Sequence, residues 1–292
     1  MSVWLIGSRG MLAQAFINFF RSHHIDFIAT AREQVDITDR DQVLEFAKSH
    51  PMQWWINCAA YTHVDNAEKE QQQAYESNAL AINYLCQTLS EARKLNPKVK
   101  LIHFSTDFVF DGLKNSPYQE NDPCFPINVY GKTKLKGEKI LVNFDPAYLI
   151  LRISWVFGEG KHFVKKILEL LQSKSTLEVV HDQIGSPSYT KDIAEAAWAM
   201  KDETGIYHLC NHGVVSRYEF AKEIRSQANQ LGIKFINQTI IPTTSDSMAL
   251  QVKRPLNSML CTSKIAEKGI KLRPWQEALN DYLKNLPEIK NA

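Results

Sequence analysis

Tyr130 and Lys134 stand four residues apart in Tyr130-Gly131-Lys132-Thr133-Lys134, a spacing that puts both on one face of a helix. A phenol with an ordinary pKa of about 10 is a poor acid or base near neutrality. A neighbouring ammonium favours phenolate and brings it toward the working range, so the pair can do proton chemistry. The spacing occurs twice, because Tyr218 and Lys222 repeat it, and only position in the fold separates the copies. Tyr218 follows Ser216, which with Glu219 makes a capping box. That copy is assigned to packing, with Lys222 in solvent. Thr106 in Ser105-Thr106-Asp107 ends the apolar run Leu101-Ile102-His103-Phe104. Its hydroxyl can converge with Tyr130 beyond the carboxyl end of a strand, where doubly wound sheets place their reactive crevice. Thr106, Tyr130 and Lys134 are the candidate catalytic group.

A second chemistry belongs to Gly7-Ser8-Arg9-Gly10-Met11-Leu12-Ala13. Gly7 allows a tight turn, Gly10 lets backbone approach a pyrophosphate, and small Ala13 lets the following helix pack near its strand. The loop points to a dinucleotide. The next strand ends in Thr30-Ala31-Arg32-Glu33. An arginine there accommodates the 2′-phosphate of NADPH and an acid grips the free hydroxyl of NADH. Arg32 favours NADPH, and Glu33 keeps NADH as the other candidate.

Elements must position these groups. Residues 3–6 form an apolar run closed by Gly7, as in a strand buried on both faces, and Leu12, Ala15, Phe16, Phe19 and Phe20 follow at helical spacing. Strands are expected at 27–29, 54–57, 101–105 and 149–153, and helices at 74–92 and 130–141. This alternation predicts a doubly wound, Rossmann-like parallel α/β sheet. The proline-rich stretch 115–128 is read as a loop. Beyond Arg152 come expected helices at 163–171 and 190–200, a strand at 177–180, and helices opened by Ser216 and Pro274. Residues 1–152 are therefore expected to bind the dinucleotide. Residues 153–292 form a second, smaller α/β domain, mainly substrate-binding, with some segments returning to the first.

Hydrophobic residues are 44% and charged residues 23% of the 292, as in an ordinary globular chain. Lys+Arg 34 against Asp+Glu 32 leaves +2, no basic field for nucleic acid or an anionic membrane. No signal-peptide pattern or apolar run of membrane-spanning length is present. Five cysteines cannot all pair, and a cytoplasmic location is expected. The partner is expected to be a small molecule, and a homodimer is compatible with the sequence.

These blocks resemble the dTDP-4-dehydrorhamnose reductase family of the extended short-chain dehydrogenase/reductase superfamily. The resemblance also runs through Asn57-Cys58-Ala59-Ala60-Tyr61-Thr62-His63-Val64-Asp65, Ser105-Thr106-Asp107-Phe108-Val109-Phe110-Asp111-Gly112 and Pro126-Ile127-Asn128-Val129-Tyr130. It continues in Leu151-Arg152-Ile153-Ser154-Trp155, Asp182-Gln183-Ile184-Gly185-Ser186-Pro187 and Arg254-Pro255-Leu256-Asn257-Ser258. It implies that Thr106 hydrogen-bonds a sugar carbonyl, Tyr130 donates the proton, and Lys134 holds the nicotinamide ribose and tunes Tyr130. NAD(P)H would reduce C4 of dTDP-4-dehydro-L-rhamnose. Asp36 and Ile37 would lie at the adenine, and Ala59, Ala60 and Tyr61 along the coenzyme. Val64, Asp107, Phe108 and Trp155 would meet the sugar.

Phe108 departs from the tyrosine of many members. Ala15 stands where some carry an acid for Mg²⁺ at a dimer interface, so Mg²⁺ is not expected. Phe108 also argues against a 4,6-dehydratase, which needs an acid after the Thr-Asp pair. A non-catalytic NADP-binding regulator resembling the methionine adenosyltransferase β subunit is the alternative of another class, and a reductase of a different nucleotide-4-keto sugar is another. His208, Cys210 and His212 alternate as strand residues could around zinc, but they lack a nearby fourth ligand, and no metal site is assigned.

Overall fold

The computed structural model describes residues 2–144, 147–233, 235 and 239–286. Six parallel strands form its main sheet: β1 (Ser2–Ile6), β2 (Asp26–Thr30), β3 (Trp54–Asn57), β4 (Lys100–Thr106), β5 (Leu149–Ile153) and β6 (Gly205–His208). Their spatial order is β6-β5-β4-β3-β1-β2. Leaving β1 the chain goes first to one side and then to the other, so loops after β1 and β3 diverge at the carboxyl edge, where such sheets bind ligands.

Alternate strand residues serve opposite faces. Val3, Leu5, Ile56 and Leu151 pack under α1 (Met11–Ser22), against Phe16 and Phe20. Trp4, Ile6, Trp55 and Ile150 face the other layer, made by α2 (Arg40–Ser49), α3 (Ala81–Leu95) and α4 (Val129–Phe144). The sequence reading omits α2. Only Val43 and Ala47 of it are buried, which leaves a weak apolar stripe, although Asp39 accepts hydrogen bonds from the amides of Asp41 and Gln42 as an N-cap.

The second lobe holds α5 (Phe163–Ser173), α6 (Thr190–Ala199), α7 (Arg217–Gln230) and α8 (Trp275–Lys284). Its core joins Phe157, Ile167, Leu171, Phe220, Ile224, Trp275 and Leu279. Helix α6 leaves that core and lays Ile193, Ala194 and Ala197 on the α1 face of the main sheet. A parallel pair of strands, Thr176–Val180 and Thr239–Thr243, completes the lobe. The latter was not expected because Pro242 interrupts it, and a proline demotes a strand run to an edge. Ser216 caps α7 by accepting from the Glu219 amide at 3.1 Å, as its capping sequence predicts. Among the described residues no helix is long and apolar enough to cross a membrane, and all five cysteines are free.

The expected helix at 74–92 is three pieces: Gln71–Tyr75, a π-turn Glu76–Leu80, and α3. A π-turn adds a residue and leaves backbone groups free to meet a neighbour. Here α4 crosses it so closely that a Cβ on Gly137 would lie 2.2 Å from the Asn78 carbonyl oxygen. The Asn78 side chain accepts from the Tyr61 amide, and donates to the Tyr61 carbonyl and to Thr133 Oγ1 on α4. Replacing Gly137 with alanine forces backbone apart, and overpacking of this kind costs about 1–3 kcal/mol. Thermal denaturation of Gly137→Ala should show a lowered Tm, whereas an unchanged Tm would mean that the two segments separate without cost.

Candidate active site

The loop after β1 is built by close approach. Gly7 has φ +83°, and a Cβ there would fall 2.7 Å from the Ala59 amide nitrogen, so the β3 loop carrying Ala59 and Ala60 lies directly against it. The amides of Gly7 and Ser8 donate to the Thr30 carbonyl, and the Gly10 amide donates to that of Gly7. Gly10 caps α1 without any side-chain hydrogen bond, and the first turn carries no acid. That helix end therefore presents its first amides to a crevice lined by Gly10, Met11 and Leu12, a disposition suited to a phosphate.

Arg9, Arg32, Asp36 and Ile37 line an adjoining hollow with Gly7, Ala59 and Ala60. Arg9 pairs with Glu33 at 2.7 Å, and Arg32 pairs through Nε with Asp36 at 2.9 Å. Burial works to raise the Asp36 carboxyl, but hydrogen bonds from Thr38 and Arg32 outweigh it and hold the group below its usual range. The Ser8 carbonyl accepts from Gln14 Nε2 at 2.6 Å.

Thr106, Tyr130 and Lys134 line one pocket of about 650 Å³. Helix α4 starts where the Asn128 side chain accepts from the Gly131 amide and Glu68 accepts from the Val129 amide, both at 2.8 Å. A Cβ on Gly131 would lie 2.2 Å from the Phe108 carbonyl oxygen, so this glycine brings Tyr130 against the turn after β4. The rings of Phe108 and Tyr130 meet edge to face at 5.6 Å. Burial pushes the Tyr130 phenol up to about 12, with the Thr106 hydroxyl beside it opposing and Asp107 adding to the rise. The Thr106 hydroxyl accepts from the Phe108 amide and donates to Asp107 Oδ1 at 3.1 Å. Asp107 also accepts from Ser154 Oγ at 2.9 Å, and its burial raises its carboxyl.

Lys134 is 2% exposed and donates to the Phe104 carbonyl at 2.6 Å. The expectation that its ammonium favours Tyr130 phenolate meets a different geometry here. Nζ is engaged under β4, and the phenol holds its proton because its surroundings are dry. Nζ also faces His103 Nε2 at 3.5 Å. Hydrogen-bond valence settles which nitrogen of His103 is protonated. Asn57 Oδ1 accepts from the Ala59 amide, so Asn57 Nδ2 must donate, and it donates to His103 Nδ1 at 3.2 Å. A neutral imidazole has one N–H; here it is on Nε2, facing Lys134. Burial and the Lys134 charge hold His103 far below its usual pKa, and burial draws Lys134 down to about 8 despite Glu138 and Cys58.

The opposite wall comes from the second lobe. Trp155, Lys161, Phe163, Gln183, Arg217 and Arg254 line it, with Val64, Asp107 and Phe108 at its base. Trp155, expected to meet the sugar, has one face covered by the Arg217 guanidinium 3.5 Å from its centroid. Sequence reasoning missed His103, Lys161, Arg217 and Arg254. Arg217 had a usable signal, the residue just inside a capped helix, but nothing local tied it to Trp155. Tyr218 packs beside the second-lobe core, while Lys222 pairs with Glu219 at 3.1 Å on the surface. The strand expected to carry His208, Cys210 and His212 ends at His208, and exposed His212 bridges to Pro274. Among the described residues no three of His, Cys, Asp or Glu gather as a metal set. Ala15 is half-buried beside the α1 core.

A model of the RmlD substrate binding domain family matches residues 1–287. The chain is 36% identical to a dTDP-4-dehydrorhamnose reductase of Aggregatibacter actinomycetemcomitans, over 95% of this chain and 96% of that one. It is 35% identical to a spore coat polysaccharide biosynthesis protein of Bacillus subtilis, over 96% of each. Its fold is similar to the crystal structure of dTDP-4-dehydrorhamnose reductase from Bacillus anthracis in complex with NADP. That pair has a TM-score of 0.90 and 30% identity, covering 98% of this chain and 99% of that one.

The His103 tautomer predicts a pH effect. The Lys134 ammonium is present below about 8 and lost above it, so activity that needs the charge should fall as pH rises through that region rather than near 10. Removing the N–H that faces it, in His103→Leu, should raise the Lys134 pKa and move the alkaline limb of kcat/KM to higher pH. A limb that stays in place would show that His103 does not set the Lys134 charge.

Proposed function

We propose a reaction for this chain, which belongs to the dTDP-4-dehydrorhamnose reductase family: reduction of the C4 carbonyl of dTDP-4-dehydro-L-rhamnose to dTDP-L-rhamnose, with NADPH as reductant. One observation carries the reading. A single crevice joins an uncapped helix N-terminus to Thr106, Tyr130 and Lys134, and faces them with a wall from the second lobe.

NADPH supplies the hydride when bound. Gly7, Ser8, Arg9, Gly10, Met11 and Leu12 would hold its diphosphate, Arg32, Asp36 and Ile37 its adenosine half, and Ala59, Ala60 and Tyr61 its middle. Lys134 would hold the nicotinamide ribose. Thr106 hydrogen-bonds the carbonyl oxygen, and Tyr130 gives that oxygen its proton. A phenol raised to about 12 is fully protonated near neutrality, the form a general acid requires. Val64, Asp107, Phe108 and the edge of Trp155 bound the sugar. Residues 1–152 serve the coenzyme, and 153–292 mainly the substrate, with α6 and β6 returned to the first lobe. No metal enters the reading, since the Ala15 side chain has no oxygen to offer Mg²⁺. The enzyme works in the cytoplasm.

The test is direct. Purified protein, NADPH and the 4-keto product that a dehydratase makes from dTDP-glucose should lose nicotinamide absorbance, followed by appearance of dTDP-L-rhamnose. Oxidation of NADPH without that product would point to another keto sugar, and no oxidation to a regulator. Tyr130→Phe should lower kcat by about 10²–10⁴-fold, the usual contribution of a general acid, and leave NADPH affinity near wild type. Tyr218→Phe is the control and should keep full activity; equal damage from both would place the chemistry on the wrong tyrosine.

Coenzyme choice has its own measurement. Arg32 uses only Nε toward Asp36, so the rest of its fork is open to a 2′-phosphate. Arg32→Ala should raise KM for NADPH roughly tenfold, the scale of one charge-assisted hydrogen bond, and KM for NADH much less. Equal effects on both would remove Arg32 from the ribose.

A further inference from the structure

Arg217 is held in an unusual way. Its guanidinium carbon lies 3.5 Å from the centroid of Trp155 and 4.6 Å from that of Phe163. Among the described residues no carboxylate reaches it as an ion pair and no side chain takes its hydrogen bonds, although it is partly buried and lines the pocket. The nearest acid to act on it is Asp107, whose oxygens are already engaged by Thr106 and Ser154.

The platform under it is built at a cost. Trp155 has φ +43°, a conformation that a bulky residue adopts only under constraint. Its ring fits because residue 185 is glycine, where a Cβ would lie 2.4 Å from Trp155 Cε2. The Arg217 backbone is pinned to the same loop, its amide donating to the Gln183 carbonyl at 3.0 Å. Ser216 pairs with Ile184 in the adjoining short strands. Contact with two rings holds the guanidinium in place, and its five N–H groups have no side-chain acceptor among the described residues.

A planar cation held this way, without a protein anion, is prepared for an oxyanion that accepts in-plane hydrogen bonds from its fork. The coenzyme's 2′-phosphate is served by a different hollow, at Arg9 and Arg32. Arg254, on the same wall, is already neutralised by Asp65 at 2.7 Å. We propose that Arg217, stacked on Trp155 and Phe163, is the receptor for the diphosphate of the nucleotide sugar. This rests on the reductase reading above. Exposed Lys161 adds a second cation at the rim, and Trp155 then acts on the substrate through the arginine it carries.

The experiment is calorimetric titration of the NADP⁺-saturated protein with dTDP and with thymidine, for wild type, Arg217→Gln and Arg217→Lys. Wild type should prefer dTDP strongly. Arg217→Gln should lose about 10–100-fold in dTDP affinity, the range for a charge-assisted pair, and keep its affinities for thymidine and NADP⁺. Arg217→Lys keeps the charge without the fork and should fall between. Unchanged dTDP binding in Arg217→Gln with NADP⁺ binding intact overturns the proposal. If glutamine disrupts the fold, seen as lost NADP⁺ binding, Arg217→Lys decides, and dTDP affinity equal to wild type overturns it. Wild-type protein that binds NADP⁺ but neither dTDP nor thymidine would sink the reductase reading instead.

Discussion

The site depends on how near helix α4 can come to its neighbours. Two glycines on that helix, Gly131 and Gly137, each leave room for a backbone carbonyl that a Cβ would meet at 2.2 Å. One contact sets the start of α4 against the turn after β4, and the other sets its middle against the π-turn at Asn78. Between them Lys134 is carried beneath β4, near enough to hydrogen-bond the Phe104 carbonyl.

Burying Lys134 is expensive, and the surroundings show how the cost is contained. One turn further along α4, Glu138 pairs with Arg152 at 2.7 Å, both nearly inaccessible. Arg152 gives two further donors to the Glu120 carbonyl and Cys124 Sγ, so four of its five N–H groups are engaged. A satisfied buried pair ties α4 to β5 but is weak grounds for added stability, since desolvation offsets the attraction. Its effect here is positional. Lys134 instead keeps one firm hydrogen bond, to the Phe104 carbonyl, and a long contact with an imidazole N–H, and its burial lowers its pKa.

Much of this was legible in the chain. The glycine loop, the alternating strands and the Ser216 cap are local patterns, and local patterns survive reading one residue at a time. The two tyrosine–lysine copies differ in placement as position in the chain suggested, because Tyr130 lines the main crevice beyond a strand's carboxyl edge and Tyr218 begins a helix that packs elsewhere. What escaped was long-range. Asn57 and His103 sit 46 residues apart, and the proton placement between them exists only once β3 and β4 are paired. Nothing local tied Arg217 to the site, because its partners, Trp155 and Phe163, are brought to it only by the fold of the second lobe. The π-turn was invisible for a related reason: residues 74–92 have helical composition throughout, and the extra residue in the turn answers to the close passage of α4.

Whole-chain charge misleads in the same way. The formal balance is +2, which argues against polyanion binding and says nothing of where the charges lie. Around the main crevice Lys134, Lys161 and Arg217 face Asp107, the one acid that lines it among the described residues, while Arg254 there pairs with Asp65, and His162 is held neutral, its burial lowering it to about 4. The acids that balance the composition lie elsewhere, many on the surface. A concave wall with an excess of one sign concentrates ligands of the other, because low-dielectric walls focus the field. Two ligands that each carry a diphosphate, a dinucleotide and a nucleotide sugar, are what such a crevice suits. On the readings proposed above the selectivity is spatial: the coenzyme's phosphates would fall to backbone amides at α1, and those of the substrate to the guanidinium stacked on Trp155.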